Sequence, residues 1–348
     1  MLYSHHHTSR KKKRDFGWLK IPGLLLLIAT GGGLAWLYAP DLYYRLSGDS
    51  LYRISNQNEA LGQAVLEKQQ QPADLLHKIH ENRKIVQILA KADPVDAQIA
   101  YQAGLLDFLE LMVYMPLNSE NLVQLTARGW LPTVRQIAGQ KKAPAVTSLS
   151  LKCARQMRRS LAIDAAHAAH QAARLIITLC DLNYSGRTDP QLAKRLASIQ
   201  VQELPDWLYP VYEWTALSLH TLRGEVKDQD RILAARPQAI GGEASPETSN
   251  QANQRHYLQL TTGQVQLLQC LALFQSGSYL QSLYQARKLQ SDQNQDLAIR
   301  VEGARMVAEI FLKQRGQNSA LFFMQAAWEL SGREDDFIAK RIQELESQ

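Results

Sequence analysis

Apolar residues recur at intervals of three and four along most of the chain, and this period constrains the fold more than any other feature. The positions between them hold mainly Ala, Leu, Gln, Glu, Lys and Arg, which are good helix formers. No stretch alternates apolar and polar residues convincingly at the period of two that a half-buried strand requires. The sequence therefore predicts an all-α fold. Helices are predicted over 56–69, 73–91, 94–114, 119–127, 131–138, 148–182, 189–202, 206–222 and 226–235, and then over 256–276, 278–290, 293–315, 317–331 and 334–347.

An uncharged segment near the N-terminus, residues 21–39, predicts one transmembrane helix. About eighteen helical residues reach about 27 Å, which crosses a bilayer core with little tilt. The run "KKKR" precedes it and Asp41 follows it, so the basic residues 1–20 are expected to stay cytoplasmic while the bulk of the chain is extracytoplasmic. The alternative is a cleaved signal peptide with a small-x-small site at 33–35. The apolar stretch continues through Trp36, which favours a retained single-pass anchor in the cell inner membrane.

The distribution of charge argues against a nucleic-acid binder. The chain has a formal net charge of +6, but residues 1–20 hold six basic residues against one acid. Five of the six net charges therefore belong to this tail, and the rest of the chain is close to neutral. A nucleic-acid binder needs its positive charge on a folded face that contacts phosphates. The tail is better explained as a topology signal, and no nucleic-acid partner is expected.

Composition divides the part after the anchor into three. Residues 236–255, "RPQAIGGEASPETSNQANQR", contain two prolines and two adjacent glycines but no aromatic residue. Such a stretch buries too little apolar surface to offset its ordering entropy. It is predicted to be a linker or loop between an exported helical region, 40–235, and a C-terminal unit, 256–348.

The C-terminal unit contains an internal repeat. The segment "LALFQSGSYLQSLYQARKLQ" (271–290) corresponds to "AEIFLKQRGQNSALFFMQAAWEL" (308–330). In each, an apolar helix is followed by a glycine, Gly277 or Gly316, which permits the left-handed turn that reverses the chain. The next helix then has small or medium-sized residues at matched places. A shift of 38 residues aligns Ser282, Ala286 and Leu289 with Ala320, Met324 and Ala327.

This pattern resembles the second helix of the tetratricopeptide repeat. The spacing is longer than the family's repeat of about 34 residues, and the first helices lack its Trp and Leu-Gly positions. The resemblance covers about residues 263–330. It implies an array of helical hairpins, an α-solenoid, with the first helix of each pair lining a concave surface that binds other proteins. The polar residues expected to face outward there are Gln266, Gln269, Arg305 and Glu309.

The function expected from this pattern is a membrane-anchored scaffold or adaptor for partner proteins in a cell-envelope assembly. The chain has no P-loop, no dinucleotide-binding glycine pattern and no Gly-x-Ser-x-Gly motif. It is therefore not expected to be an enzyme or to need a cofactor. Pairs of small residues four apart in 21–39 let two spanning helices pack closely, so homo-oligomerisation stays open. A further alternative is an assembly factor that acts through this spanning helix.

An enzyme alternative comes from two Asp-x-x-His-x-x-His triplets. Imidazoles three residues apart on a helix lie on neighbouring faces and can share a metal ion. A closed metal site needs about four ligands, so each triplet would depend on the other. They would serve an exported metal-dependent hydrolase, although packing against neighbouring helices is the preferred interpretation. The triplets comprise Asp74, His77 and His80, and Asp164, His167 and His170.

The three cysteines are expected to be small buried residues. Cys153 and Cys180 both fall in the predicted helix 148–182, which would separate them by about 40 Å. That distance excludes a disulfide between them. Cys270 completes the odd number, so the fold is not a disulfide framework.

Overall fold

A computed structural model describes residues 50–67, 70–128, 145–185, 189–235 and 258–347. The chain divides into a unit Met1–Arg53, of which only the end is described, and a compact unit Ile54–Gln348 that contains the packed helices. The predicted cytoplasmic tail, the anchor at 21–39, the helix at 131–138 and the linker at 236–255 lie outside the described residues. Within the described ranges, no helix combines the length and the apolarity needed to cross a membrane.

The all-α prediction is confirmed, because these ranges contain fourteen α-helices and no strand. The helices are α1 (described over 50–66), α2 (Pro72–Ala92), α3 (Ala97–Tyr114), α4 (Ser119–Arg128), α5 (Val146–Ile163), α6 (His170–Ser185), α7 (Pro190–Ala197), α8 (Tyr209–Arg223), α9 (Val226–Ala234), α10 (Thr262–Gln275), α11 (Tyr279–Ser291), α12 (Leu297–Lys313), α13 (Gln317–Leu330) and α14 (Asp336–Glu346). Two short 3₁₀ turns, Val201–Glu203 and Asp206–Leu208, precede α8.

Helices that follow one another in the chain pack on one another. In the first part of the chain, α1 to α9, helix α2 packs on α3, α3 on α5, α5 on α6, and α6 on α7 and α8. In the last part, α10 to α14, each helix packs on the next one. Helix α8 joins the two parts by contacting both α6 and α10. Helix α3 lies at the centre of the first part, where Phe108 is fully buried. Helix α4 departs furthest from this order, since it lies against α8 and α10.

The repeat positions predicted in the C-terminal unit are all buried. Ser282, Ala286 and Leu289 on α11, and Ala320, Met324 and Ala327 on α13, are each at most 1% exposed. Small residues allow close approach here: a Cβ on Gly303 of α12 would lie 3.0 Å from the carbonyl oxygen of Ala286. Burying this face removes apolar surface from water, which is the main force holding the pairs together.

The two turns of the repeat differ in the residue that reverses the chain. Gly277 has the left-handed conformation expected of it, with φ of 84°. At the second turn Arg315 adopts the left-handed conformation, with φ of 63°, while Gly316 is the N-cap of α13 with φ of −91°. At this second turn, therefore, Gly316 marks the turn in the sequence, but Arg315 is the residue with positive φ.

The prediction of one helix over 148–182 is wrong, because α5 ends at Ile163 and α6 begins at His170. Asp164 is extended, and its carboxylate accepts a hydrogen bond from the Ala166 N–H at 2.9 Å. His167 Nδ1 accepts another from the Ala169 N–H at 3.1 Å. Side chains that bond to the nearby backbone compete with the helix. This turn therefore forms without the glycine or proline that usually indicates one.

The predicted separation of Cys153 from Cys180 is wrong for the same reason. The two cysteines lie on α5 and α6, which pack together as an antiparallel hairpin, and so are not held apart at the two ends of one long helix. The prediction that all three cysteines are buried is confirmed.

Candidate functional site: an acidic groove beside a buried ion network

A network of four charged side chains joins α4 to α12 and α14. Arg128, the last residue of α4, donates from Nε to Glu302 Oε1 at 2.8 Å and from Nη2 to Asp335 Oδ2 at 2.6 Å. Glu302 lies one turn before Arg305 on α12 and accepts from its Nε at 2.6 Å. Arg305 also donates to the carbonyl oxygen of Ala127 at 2.7 Å. The network therefore fixes the C-terminal end of α4 to the face of α12.

Asp335 belongs to the network because it is also the N-cap of α14. Its Oδ1 accepts from the backbone N–H groups of Phe337 and Ile338 at 3.1 and 3.2 Å. Capping leaves Oδ2 free to accept from Arg128, so one carboxylate serves both the helix start and the ion pair. The two guanidinium groups, those of Arg128 and Arg305, lie 5.3 and 5.8 Å from the centre of the Phe337 ring.

Glu302 is charged although it is buried. Burial by itself would raise the pKa of Glu302, but Arg305 and Arg128 outweigh that effect, so its pKa lies below the ordinary value. Only 5% of the residue is exposed. A buried carboxylate of this kind is stable only while its cationic partners remain in place.

A groove of about 550 Å³ opens beside this network, between α4, the start of α10, the start of α12 and the start of α14. Its apolar surface includes Leu297, which is 54% exposed although it is a large aliphatic side chain. The apolar lining residues are Val123, Leu297, Ala298, Ile299, Val301 and Phe337.

Three exposed acids line the same groove: Glu120 from α4, Glu334 from the loop before α14, and Asp336 from its first turn. In the part of the chain that the structure describes, none of the three forms a side-chain hydrogen bond or an ion pair. The single basic residue of the lining, Arg128, is already paired with Glu302 and Asp335. The groove therefore presents uncompensated negative charge around an apolar surface.

Two other cavities lack this combination. The cavity between α2, α3 and α5 has a volume of about 140 Å³, and its Asp107 accepts from both Arg83 at 3.0 Å and Lys152 at 2.8 Å. The cavity between α9, α10 and α11 has one acid, Asp230, which is hydrogen-bonded to Gln269 at 3.0 Å. The groove is thus the described cavity that is best suited to recognise a charged ligand.

None of the four residues predicted to bind a partner lines the groove. Gln266 is half-buried, and Gln269 donates to Asp230 on α9. Glu309 accepts from Arg341 on α14 at 3.1 Å. Arg305 does not face outward as predicted: only 3% of it is exposed, because α4 covers this part of α12.

Sequence reasoning missed the residues that form the groove. Helix α4 and the start of α14 are about two hundred positions apart in the sequence, so no local pattern reports that they meet. The run "REDD" at 333–336 was a visible signal. Acidic residues at the start of a helix are common for capping and dipole reasons alone, so the run did not single out a site.

The histidine triplets are not brought together as one metal site. His77 is exposed and lies 3.2 Å from Glu81, whereas His80 lies 3.8 Å from Glu110. His170 Nε2 lies 3.9 Å from Glu203. Among the described residues, three ligand atoms close enough to share an ion belong to residues outside both triplets, namely His220, Glu225 and Asp228. Glu225 there already accepts from His220 at 2.7 Å and from Arg223 at 2.6 Å.

His167 has a structural environment. Its Nδ1 accepts from the backbone, so Nε2 carries the proton and donates to Ser160 Oγ at 2.9 Å. Ser160 in turn donates to the carbonyl oxygen of Ala97 at 2.7 Å. Burial lowers the pKa of His167; Asp164 opposes this shift and His170 adds to it. A neutral imidazole here links the turn between α5 and α6 to the start of α3.

Comparison of the chain with protein-family models, with curated proteins and with solved structures finds no match.

Proposed function

We propose that this protein is a helical-repeat scaffold whose acidic groove holds a basic, partly apolar segment of a partner protein. The observation that carries the proposal is the set of three unpaired acids, Glu120, Glu334 and Asp336, around an exposed apolar surface. Complementary charge favours a segment with Lys or Arg, and Leu297 offers an apolar contact to its side chains. The rigid network behind the groove holds α4, α12 and α14 in fixed positions, which lowers the entropy cost of binding.

The scaffold is proposed to be of the tetratricopeptide-like type, with α10 paired to α11 and α12 paired to α13. The burial of the six matched positions supports this pairing. In such an array the first helices, α10 and α12, line the concave side, and the groove opens at the starts of these two helices. Here α4 adds a wall that the repeat pattern did not predict.

The membrane anchor at 21–39 is part of the proposal and is supported by the sequence alone. With a cytoplasmic tail at 1–20, it would place the helical unit on the extracytoplasmic side of the inner membrane. A scaffold held there would collect a partner at the membrane surface, as expected of a component of an envelope assembly.

A peptide-binding assay tests the proposed ligand class. The probe is a fluorescent peptide of about twelve residues built from Lys, Leu and Ala, and its control has Glu in place of every Lys. We expect the basic peptide to bind the full chain and to lose affinity as salt is raised, while the acidic peptide does not bind. Equal binding of both peptides would contradict a groove that selects by charge.

A matched pair of triple variants locates the binding. Glu120→Gln, Glu334→Gln and Asp336→Asn together should weaken the basic peptide about tenfold, since three exposed charge contacts are worth about 0.5 kcal/mol each. The control removes the same charge elsewhere, by Glu81→Gln, Asp228→Asn and Glu329→Gln, and should leave the affinity nearly unchanged. An equal loss in both triple variants would mean that net charge, not the groove, attracts the peptide.

A further inference from the structure

Three side chains that can bind a metal ion meet at the corner between α8 and α9, outside the acidic groove. One ligand atom of each, from His220, Glu225 and Asp228, lies within 4.8 Å of the other two. His220 belongs to the last turn of α8, Glu225 is the N-cap of α9, and Asp228 lies in the first turn of α9. The corner thus brings one imidazole and two carboxylates to one place.

The backbone of the corner holds these three residues in position. The N–H of Glu225 donates to the carbonyl oxygen of His220 at 2.9 Å, and the N–H of Asp228 donates to that of Glu225 at 3.2 Å. Gly224, which precedes Glu225, has φ of 68°, and a Cβ there would lie 2.4 Å from the backbone nitrogen of Ser276. This tight packing leaves the corner little freedom, which lowers the entropy cost of binding an ion.

The carboxylate of Glu225 is charged and already faces the imidazole. His220 Nδ1 donates to its Oε2 at 2.7 Å, and Arg223 Nε donates to its Oε1 at 2.6 Å. Partial burial by itself would raise the pKa of Glu225, but the hydrogen bonds from His220 and Arg223 outweigh it, so the pKa lies below the ordinary value. Arg223 therefore orients the carboxylate by one oxygen while the other oxygen faces His220.

An ion can reach these ligands from the side of Asp228. The side chain of Asp228 is 46% exposed, whereas those of Glu225 and His220 are 27% and 15% exposed. Asp228 pairs with Arg231 at 3.4 Å, and the Arg231 side chain is 81% exposed. A pair as exposed as this is worth about 1 kcal/mol or less. Arg231 is therefore a weak competitor, which a divalent ion can displace.

We propose that His220, Glu225 and Asp228 bind one divalent transition-metal ion of the Zn²⁺ class, with water at its remaining positions. This proposal is independent of the acidic groove and its ligand. Imidazole nitrogen and carboxylate oxygen both bind Zn²⁺, at about 2.0–2.2 Å, whereas Mg²⁺ and Ca²⁺ prefer oxygen ligands alone. On binding, the imidazole stays neutral: Nδ1 gives its proton to solvent, Nε2 takes one up, and the Nδ1 lone pair binds the ion. The ion then replaces the hydrogen bond between His220 and Glu225.

Calorimetric titration of the metal-free full chain with Zn²⁺ alone tests the proposal. Residues 5–7 are three consecutive histidines, which can also chelate Zn²⁺, so every protein compared carries His5→Ala, His6→Ala and His7→Ala. In this background we expect one Zn²⁺ to bind per chain. His220→Asn and Asp228→Asn should each weaken the binding by at least about tenfold, since losing a residue that merely orients a ligand commonly costs that much.

Two further variants separate this site from unspecific binding. His77→Asn removes an exposed histidine that also lies beside a carboxylate, that of Glu81 at 3.2 Å, and should leave the affinity unchanged. Arg231→Gln removes the cation that competes for Asp228 and should tighten the binding about two- to fivefold. Because Asp228 is half exposed, Asp228→Asn decides the matter even if His220→Asn fails to fold. A background protein that binds no Zn²⁺, or an Asp228→Asn variant that binds it as tightly as the background protein does, would overturn the proposal.

Discussion

Replacing Glu302 by Gln should destabilise the protein strongly, because it removes the negative charge at the centre of the buried ion network. Gln has nearly the same size and keeps one oxygen acceptor, so the change tests charge and leaves packing almost intact. After the change, the guanidinium groups of Arg305 and Arg128 keep their positive charge. Only Asp335 remains within the network to compensate them, and it contacts Arg128 alone.

The size of the effect follows from burial. Arg305 is 3% exposed and Glu302 is 5% exposed, so water cannot replace the lost partner. Breaking a buried pair by removing one charge costs about 3–5 kcal/mol. For a unit of this size, this corresponds to a fall in melting temperature of at least about 6 °C, at about 2 °C per kcal/mol.

The matched control is Glu309→Gln on the same helix. Glu309 pairs with Arg341 at 3.1 Å, but the side chains of this pair are 16% and 27% exposed. A partly exposed pair of this kind is worth about 1 kcal/mol or less. Urea unfolding of both variants at neutral pH measures the difference in the free energy of unfolding. If Glu302→Gln costs no more than Glu309→Gln, the network does not hold α4 against α12.

Three further predictions concern packing and pH. Gly224→Ala should cost at least about 2 kcal/mol, because φ is 68° and the new Cβ would lie 2.4 Å from the backbone nitrogen of Ser276. Gly277→Ala should cost about 1 kcal/mol, since φ is 84° there but nothing lies within 4 Å of the new Cβ. Equal urea midpoints for these two variants would contradict a steric clash at position 224. Ala320→Trp should lower stability by at least about 1–3 kcal/mol through overpacking, whereas Phe322→Trp at an exposed position should not, as melting curves will show. The pKa of His167 is lower in the folded state than the ordinary value of about 6.5, so the unfolded chain binds the proton more readily and the free energy of unfolding should fall as the pH drops below about 6.5. In His167→Asn this fall should be smaller. An unchanged dependence of the free energy of unfolding on pH would show that His167 does not contribute to it.

The all-helical fold could be predicted because each helix buries one face, and burial leaves a period of three to four residues in the sequence. The repeat positions such as Ala320 were predictable for the same reason. The turn after Ile163 was not, because it depends on hydrogen bonds from Asp164 and His167 to the nearby backbone, and these residues also occur within helices. Predicting a continuous helix there also separated Cys153 from Cys180.

The candidate site could not be predicted from local patterns. Arg305 was expected to face outward because a charged residue on a helix usually does. Its burial depends on α4, whose Ala127 carbonyl and Arg128 side chain occupy the space beside it, and nothing near Arg305 in the sequence reports that contact. The groove likewise depends on where α4 and α14 meet α12, which is set by tertiary packing.

Photo-crosslinking tests whether the acidic groove holds a basic segment of a partner protein. A photoreactive amino acid at Leu297, which is exposed in the groove, should crosslink the partner in cells that make the protein. The same residue placed at Phe322, which is exposed on α13 outside the groove, serves as the control. We expect the photoreactive residue at Leu297 to crosslink far more of the partner than the one at Phe322. We also expect the crosslinked segment to contain Lys or Arg beside apolar residues, and the triple acid variant to reduce the yield. Equal crosslinking at both positions, or an acidic crosslinked segment, would contradict the binding of a basic segment in the groove.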